Sequence, residues 1–294
     1  MDGILLLNKP KGLSSHDCVN LVRMAYNTKK VGHSGTLDKE ASGLLVLGIN
    51  KGTKIMPFLN QDDKRYQFTI VFNEQTDTLD HTGKINDVKS QTDFSALDEV
   101  LASFVGEYLQ TPPAYSAVKV DGKKLYEYAR KNQAVPEVEP RKLKIYQLKR
   151  INDIEAKTPP TYQVTCEVHG SKGLFVRTLA LDIAKRLNTV AHTQMIHRTQ
   201  AGQFKLEDAY SLESLKANKT KLITLNDALE SIPAITADQA MKRRISHGQK
   251  LSIIADKRYL KLIDESTQSL LAIYEKDPTQ KHFYRAKKVF LNES

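Results

Sequence analysis

Apolar residues in this 294-residue chain recur in short runs, some with the spacing of a β-strand and others with that of an α-helix. The order of these runs constrains the fold more than any other feature. Between Lys64 and Phe72, apolar and polar residues alternate, which predicts a half-buried strand. Other runs predict strands over residues 3–7, 43–49, 143–148 and 162–168. Helical spacing predicts helices over residues 94–104, 125–131 and 176–187, and one after Ser14, which forms a pattern with Asp17 that resembles a capping box. Because strands and helices alternate without a regular βαβ rhythm, we expect an α+β fold rather than a doubly wound one.

The last fifth of the chain changes character after Ile232-Pro233. Short β-like runs separated by turn residues predict a small β-barrel there; the runs are 251–254, 259–263, 270–274 and 282–290. Residues 235–294 carry 12 Lys and Arg against 7 Asp and Glu, half of the whole chain's excess of +10. This excess indicates contact with an RNA backbone, although a solvated charged surface explains it nearly as well. We therefore predict two domains, 1–232 and 233–294, with a basic, proline-punctuated insertion near 112–141.

The net charge of the whole chain favours a polyanionic partner, which leaves RNA, DNA and an acidic membrane surface open. A bilayer-spanning helix is not expected, because the longest apolar runs are far shorter than the ~20 residues that such a helix needs. Asp2 and Lys9-Pro10 interrupt the apolar core that a secretory signal would have, so we expect a cytoplasmic protein.

The sequence offers no sign of a metal or nucleotide cofactor. Cys18 and Cys166 lie far apart, with no Cys-x-x-Cys pattern and no cluster of His and Cys ligands around them, which favours structural thiols in a reducing compartment. A phosphate-binding Gly-x-x-x-x-Gly-Lys-Ser/Thr loop is also missing. We therefore expect side chains alone to carry any chemistry.

Asp38 is the first candidate for such chemistry. It ends the stretch Gly32-His33-Ser34-Gly35-Thr36-Leu37-Asp38, which is too rich in glycine to hold regular structure easily and precedes an apolar strand. Reactive side chains are often held on loops of this kind. The alternative is an aspartate that only caps a turn.

Six segments, in their order along nearly the whole chain, carry a resemblance to one family. They are residues 6–15, 31–45, 64–66, 76–80, 110–119 and 171–179. Each segment alone is a weak pattern, but their common order and spacing are highly specific. Through them the sequence resembles the TruB type of pseudouridine synthase, the tRNA pseudouridine-55 synthases.

The resemblance implies a pseudouridine synthase fold with a mixed, largely antiparallel sheet and a small C-terminal PUA-like β-barrel domain that binds RNA. It also implies an isomerase that converts uridine 55, in the T-arm loop of tRNA, to pseudouridine. Such an enzyme flips the base out, breaks its glycosidic bond and forms a new bond through C5, without a cofactor. A monomer is the expected state.

The resemblance also assigns roles to individual residues. Asp38 matches the essential aspartate, which attacks the base, attacks the sugar or removes a sugar proton; the sequence leaves all three open. Arg177 matches the arginine that keeps this carboxylate charged. Tyr66 matches the active-site tyrosine, whose ring stacks on uracil while its hydroxyl lies near C5, where a proton must leave. An ordinary helix arginine and a core tyrosine are the respective alternatives.

Four further residues are expected to bind the substrate. His33 matches the histidine that stacks where the flipped base had been. Phe175 and Ile196 fall where the family lines the pocket, commonly with tyrosine and leucine, so Phe175 lacks a hydroxyl. Lys9 is a candidate phosphate contact, and a solvated basic turn explains it equally well.

Two other functions agree with much of the same sequence. One is an RNA-binding or tRNA-folding protein in which turnover is secondary, and the other is a related pseudouridine synthase that acts on other RNA. The presence of Asp38, Tyr66 and Arg177 together favours an enzyme, because a pure binding protein has no need of this set.

Overall fold

The computed structural model describes residues 1–60, 62–131 and 133–291. Its N-terminal half contains β1 (Gly3–Lys9), α1 (Ser15–Ala25), β2 (Val31–Ser34), β3 (Ser42–Ile49), α2 (Gly52–Ile55), β4 (Asp63–Phe72), β5 (Glu74–Thr76), β6 (Ile85–Val88), α3 (Leu97–Ser103), β7 (Gly106–Gln110), β8 (Lys119–Val120), β9 (Lys123–Lys124) and α4 (Leu125–Arg130). Its C-terminal half contains β10 (Arg141–Arg150), β11 (Glu155–Ala156), β12 (Tyr162–Ser171), α5 (Val176–Arg186), β13 (Ala191–Ala201), β14 (Phe204–Lys205), α6 (Leu212–Lys216), β15 (Ala234–Ala237), α7 (Gln239–Ser246), β16 (Leu251–Ser252), β17 (Tyr259–Asp264), β18 (Leu270–Lys276) and β19 (Phe283–Val289).

A ten-stranded sheet organises most of the chain. Its main path runs β1-β3-β13-β4-β12-β10-β7, and β2, β11 and β14 pair with β3, β12 and β13. Only the β3 and β13 neighbours along this path are parallel, so the predicted α+β fold with a mixed, largely antiparallel sheet is confirmed. None of the helices in the described part of the chain is both long and apolar enough to cross a membrane.

β4 lies near the centre of this sheet, between β12 and β13. The alternation that predicted it is confirmed: Tyr66, Phe68, Ile70 and Phe72 are all buried in one apolar cluster with residues of α5. Burying four large side chains of one face fixes the register, because a slip of one residue would turn all of them to the other face. Tyr66 thereby acquires a fixed position at the end of the strand where the apolar cluster meets a cavity.

The start of α1 is set by a capping box, as the sequence predicted. The side chain of Ser14 accepts a hydrogen bond from the backbone of Asp17, and the side chain of Asp17 accepts one from the backbone of Ser14. Such reciprocal bonds satisfy N–H groups that have no partner inside the helix. The cap also fixes Ser15, whose side chain is buried under the loop that carries Asp38.

The C-terminal strands form a second sheet in the order β15-β17-β18-β19-β16. Within the described residues, β15 and β16 remain its two edges, so the predicted small β-barrel is a curled half-barrel that does not close. An apolar cluster joins it to the first sheet, and Leu270, Ile273 and Phe290 pack there with Ile4 and Leu6. β15 begins at Ala234, next to the predicted domain boundary at 232/233, and the division into two domains stays a prediction.

β13 and α7 were not predicted from the sequence. β13 has few apolar residues, yet it lies in the middle of the sheet because its polar side chains find partners there. His192 is 3.0 Å from the carbonyl of Glu74, and Thr193 donates to the carbonyl of Leu79 at 3.1 Å. Buried polar groups that are hydrogen-bonded in this way are tolerated. α3 is also shorter than predicted, because the helix begins only at Leu97.

The segment between β7 and β10 leaves the sheet and returns to the same place. Gln110 and Arg141 are paired neighbours of these two strands, so residues 111–140 form an excursion in the region of the predicted insertion. A small hairpin, β8 and β9, and the helix α4 lie within it.

Candidate active site

A cavity of about 180 Å³ opens beside the loop that carries Asp38. Asp38, Tyr66, Phe175, Arg177 and Ile196 all line it, so the structure brings together five of the residues chosen from the sequence. Sites for drug-sized ligands hold roughly 300–1,000 Å³, and this smaller volume therefore suits a single base. A wider cleft adjoins the cavity and shares Asp38 and Arg177 with it.

The loop around Asp38 is tied down on both sides of the carboxylate. The Ser15 hydroxyl donates to the carbonyl of Leu37 at 3.0 Å and accepts from its N–H at 2.9 Å. After Asp38, the carbonyl of Lys39 accepts from the N–H of Gly12 at 2.9 Å. The carboxylate itself remains about half exposed, at 48% of its side-chain surface. Asp38 is therefore rigidly placed and still accessible to a substrate.

Arg177 lies in the first turn of α5 and is almost completely buried. Its Nη2 is 2.9 Å from Oδ2 of Asp38. The guanidinium also donates to two backbone carbonyls, to that of Thr78 through Nη1 and to that of Tyr115 through Nη2, each at 2.8 Å. These bonds fix the orientation of the planar guanidinium. Because the guanidinium is always charged, they also hold a positive charge in place beside Asp38.

Asp80 is a second carboxylate at this guanidinium, and sequence reasoning missed it. Its Oδ2 lies 3.8 Å from Nη1 of Arg177, while its Oδ1 accepts bonds from Thr78 and Thr82. Burial favours the neutral form of Asp80, but the hydrogen bonds from Thr82 and Thr78 and the charge of Arg177 outweigh it, so the pKa of this carboxyl lies below its usual value. The segment 76–80 belonged to the resemblance, but no spacing in the sequence connects Asp80 with Arg177.

Asp80→Asn is expected to lower turnover about 10- to 100-fold with little change in RNA affinity. Asparagine keeps the oxygen that accepts from Thr82 but removes the charge, so Arg177 loses one of its two anionic partners and its position beside Asp38 is less well defined. A displacement of ~1 Å at a reacting group can cost about 100-fold in rate. Single-turnover kinetics checks this, with Asp77→Asn as the control, since the Asp77 carboxylate accepts from the backbone of Lys84 and, among the described residues, pairs with no cation. Equal rates for Asp80→Asn and the unchanged protein would show that the contact has no role.

Tyr66 is 7% exposed and belongs both to the apolar cluster of β4 and to the lining of the cavity. The two explanations offered by the sequence, core packing and an active-site ring, therefore hold for the same side chain. Its position beside a base-sized space fits stacking on uracil, and its part in the chemistry stays a prediction.

His33 lines the wider cleft rather than the small cavity. Burial, together with the charges of Arg198 and His16, lowers the pKa of its imidazole, so the ring is neutral at neutral pH. Its Nδ1 is buried without a hydrogen-bond partner in the described residues. A neutral, flat ring at this place is suited to the predicted role of filling the gap left by a flipped base.

The structure does not bring Lys9 to the cavity, and it corrects both expectations for this residue. Lys9 is completely buried, and its ammonium donates to the carbonyls of Leu13 at 2.6 Å, Pro10 at 3.0 Å and Lys39 at 3.3 Å. It is therefore neither a phosphate contact nor a solvated turn. Backbone carbonyls that converge under the Asp38 loop need a donor, and the Lys9 side chain supplies it from below.

The described residues contain no group of three or more His, Cys, Asp and Glu side chains placed to hold a metal ion. What the cavity does contain is an accessible carboxylate paired with a buried cation, apolar walls and an aromatic ring. This arrangement suits a reaction in which one carboxylate acts on a flat, uncharged base.

Comparison with known proteins agrees with this geometry. The model of the TruB family pseudouridylate synthase (N terminal domain) matches residues 23–176. The tRNA pseudouridine synthase B of Oceanobacillus iheyensis is 39% identical over 100% of this chain and 99% of its own length. That of Staphylococcus saprophyticus is 40% identical over 98% of this chain and 99% of its own length.

Solved structures show the same fold at low sequence identity. The crystal structure of a Cbf5-Nop10-Gar1 complex contains a chain that superposes with a TM-score of 0.70 and 21% identity, over 98% of this chain and 85% of that one. A structure of an H/ACA RNP bound to a substrate RNA containing 2'-deoxyuridine gives a TM-score of 0.70 at 20% identity, over 99% and 85%. On the match of the family model and the full-length relatives, the chain belongs to the TruB family of pseudouridylate synthases.

Proposed function

We propose that this protein isomerises a uridine of tRNA to pseudouridine, and that the target is uridine 55 in the T-arm loop. The observation that carries the proposal is the pairing of Asp38 with the buried Arg177 at 2.9 Å on the wall of a base-sized cavity. Two relatives that match nearly the whole chain are tRNA pseudouridine synthases B, which supports tRNA as the substrate.

The reaction moves the attachment of uracil from N1 to C5 of the same base. The N1–C1′ bond breaks, the detached ring turns over, C5 bonds to C1′, and the proton on C5 leaves while N1 gains one. Asp38 starts this sequence by attack on the base, by attack on the sugar or by removal of a sugar proton. Each route needs a carboxylate that touches the substrate, and Arg177 holds that of Asp38 at the cavity wall.

A uridine in a folded loop reaches this cavity only after it is flipped out, which costs a few kcal/mol. We assign His33 to the space that the base leaves, and Tyr66, Phe175 and Ile196 to the walls that receive it. Stacking of a base on an aromatic ring contributes about 1–3 kcal/mol. These contacts therefore offset much of the cost of flipping.

We assign contact with the RNA backbone to two basic parts of the chain, the excursion 111–140 and the C-terminal residues 233–294. Lys124 and Tyr126, from the excursion 111–140, line the wider cleft beside Asp38, and we assign them to contact with the RNA loop that carries the target. We further propose that residues 1–232 form the catalytic domain and 233–294 a PUA-like RNA-binding domain. Several charges of this second part are already paired within the protein, as Lys242 of α7 is with Asp264 of β17 at 2.6 Å. Because the proposed substrate is tRNA, we expect a cytoplasmic protein. A single copy of the chain carries every residue assigned to the site, so we expect it to act as a monomer.

The experiment that tests the proposed function uses a T-arm hairpin with tritium at uracil C5. Isomerisation must release this tritium to water, because C5 gives up its hydrogen when it bonds to C1′. We expect release from one uridine per hairpin, and none when the target uridine is replaced by cytidine. A protein that binds the hairpin tightly without release is an RNA-binding protein, and the proposed function would be wrong.

Hairpin affinity is expected to fall steeply with salt. The slope of log affinity against log salt concentration should be roughly −0.7 to −0.9 per phosphate neutralised. In Lys124→Gln, the slope should become smaller by about one such increment, whereas Lys205→Gln, which lies outside the cleft and pairs with Glu207, should leave it unchanged. Filter binding over a range of salt concentrations measures both slopes, and a flat response would contradict a backbone contact.

A further inference from the structure

Lys64 lines the cavity together with Asp38 and Tyr66, and none of the steps assigned to Asp38 uses it. It lies near the start of β4, half-buried, two residues before Tyr66. Its ammonium is close to the loop of Asp38, because a Cβ on Gly35 would come within 3.0 Å of its Nζ. Within the described residues, the Lys64 side chain has no hydrogen bond and no carboxylate partner.

A second cation lies beside the same glycine, close to the Lys64 ammonium. Arg198 is completely buried, and it donates to the carbonyls of Leu44 at 2.8 Å and Gly35 at 3.0 Å. Its Nη1, which a Cβ on Gly35 would approach within 3.3 Å, is buried without a partner. Among the described residues neither cation has a carboxylate partner, so the two together create an excess of positive charge at Gly35, which lines the cavity.

This arrangement costs folding stability. Burial, followed by the charges of Arg198 and Lys172, lowers the pKa of the Lys64 ammonium to about 8. An unpaired, partly desolvated ammonium beside an arginine destabilises the folded state at neutral pH, and such a cost is typical of functional sites. Among the cations that line the cavity, Arg177 is already bonded to Asp38 and two carbonyls, so Lys64 is the cation available to a substrate.

We propose that the Lys64 ammonium donates to a carbonyl oxygen of the flipped uracil and stabilises the negative charge that the base carries while its bond to the ribose is broken. This role rests on the proposed function. It is assigned to the base rather than to a phosphate because the cavity is base-sized and its walls include Tyr66, Phe175 and Ile196. A charged phosphodiester group fits the wider, more open cleft.

The chemistry demands such a cation whichever step Asp38 performs. When the N1–C1′ bond breaks, its electron pair stays on the base and spreads onto O2 and O4. Attack of Asp38 on the ring would likewise place negative charge on O4. A donor fixed in advance at these oxygens, in a site shielded from water, stabilises the transition state more than it would in water. When C5 has bonded to C1′ and N1 has gained its proton, the base is neutral and the ammonium no longer holds it tightly.

The test compares Lys64→Met and Lys64→Arg with the unchanged protein on the T-arm hairpin. Loss of one charge-stabilising donor typically costs about 10²–10³ in rate, so we expect single-turnover release of C5 tritium to fall at least about 100-fold in Lys64→Met, with hairpin affinity within about threefold. Lys64→Arg should recover most of the rate. The melting temperature of Lys64→Met should be equal to or higher than that of the unchanged protein, because the substitution removes a buried charge.

The pH dependence provides a separate readout. The charged groups that face Lys64 are Arg198 from β13 and Lys172 from the loop after β12, with Asp38 and Arg177 on the same cavity. Activity should fall as pH rises through about 8, where Lys64 loses its proton. In Lys64→Arg this fall should move to higher pH, because the guanidinium stays charged. Any ionisation of the substrate affects both proteins alike. An unmoved profile would contradict the role.

Lys172→Met is the matched control. Lys172 faces Lys64, but its ammonium pairs with Asp62 at 2.8 Å on the surface and does not line the cavity, so its removal should not change the rate. A Lys64→Met protein that turns over normally, or that loses affinity while its bound turnover is unchanged, would overturn the proposal; the second result would assign Lys64 to a phosphate. An inactive unchanged protein would instead contradict the proposed function, and with it this role.

Discussion

Asp38→Asn should bind the T-arm hairpin as the unchanged protein does and lose at least about 10³-fold in turnover, the scale seen when an essential group of a catalytic unit is removed. Asparagine has nearly the same shape, and the loop is held by Ser15 through Leu37 and by the contacts of Lys39. The side chain should therefore stay in place. An amide, however, neither attacks carbon nor removes a proton at neutral pH.

Single-turnover tritium release and filter binding, measured on the same preparations, check both parts of this expectation. Glu40→Gln is the control on the same loop, because Glu40 contacts Lys11 and His81 at 3.6 and 3.5 Å and not Arg177. It should stay within about threefold of the unchanged protein, because both contacts of Glu40 are long and its side chain is partly exposed to solvent. If Asp38→Asn lost binding in proportion to turnover, Asp38 would be a binding residue.

Arg177→Lys should lower turnover by about 10²–10³-fold and also destabilise the fold. A lysine ammonium is a compact point charge and cannot reach Asp38 and the carbonyls of Thr78 and Tyr115 in the geometry of the guanidinium. Each buried carbonyl left without its donor costs about 1–3 kcal/mol. A lower melting temperature should therefore accompany the loss of activity, whereas Asp38→Asn should lose activity alone.

The two substitutions combined separate a shared role from independent ones. If Arg177 acts by holding Asp38 in position, the double variant should be little slower than Asp38→Asn, because the effects of residues that act as a unit are not additive. Lys185→Met, on the surface of the same helix, should leave the rate unchanged. Fully additive losses would indicate that Arg177 contacts the substrate independently of Asp38.

The sequence was most informative where one local pattern decides the structure. The alternation of β4 required one face to be buried, and Ser14 with Asp17 predicted the start of α1. Motifs that match a family also located Asp38 and Arg177, although nothing in their own spacing would bring a loop and a distant helix together.

The sequence was least informative where polar groups are buried by partners from distant segments. β13 was missed because its polar residues are satisfied only in the assembled sheet, and Lys9 was expected at the surface because a lysine is usually solvated. Asp80 and Lys64 emerged from contacts with Arg177 and with the cavity wall, which no local pattern contains. Four of the five C-terminal strands were predicted, but the edge strand β15 was missed. Whether their sheet closes depends on pairing between its first and last strands.

The most direct measurement uses a full-length tRNA transcript that contains no modified nucleotides. After incubation with the purified protein, the positions of pseudouridine are mapped by a chemical reaction that marks pseudouridine and stops reverse transcription. We predict a single mark, at the uridine of the T-arm loop, and no mark with Asp38→Asn. An unmarked transcript, or marks at other uridines in place of this one, would contradict the assignment.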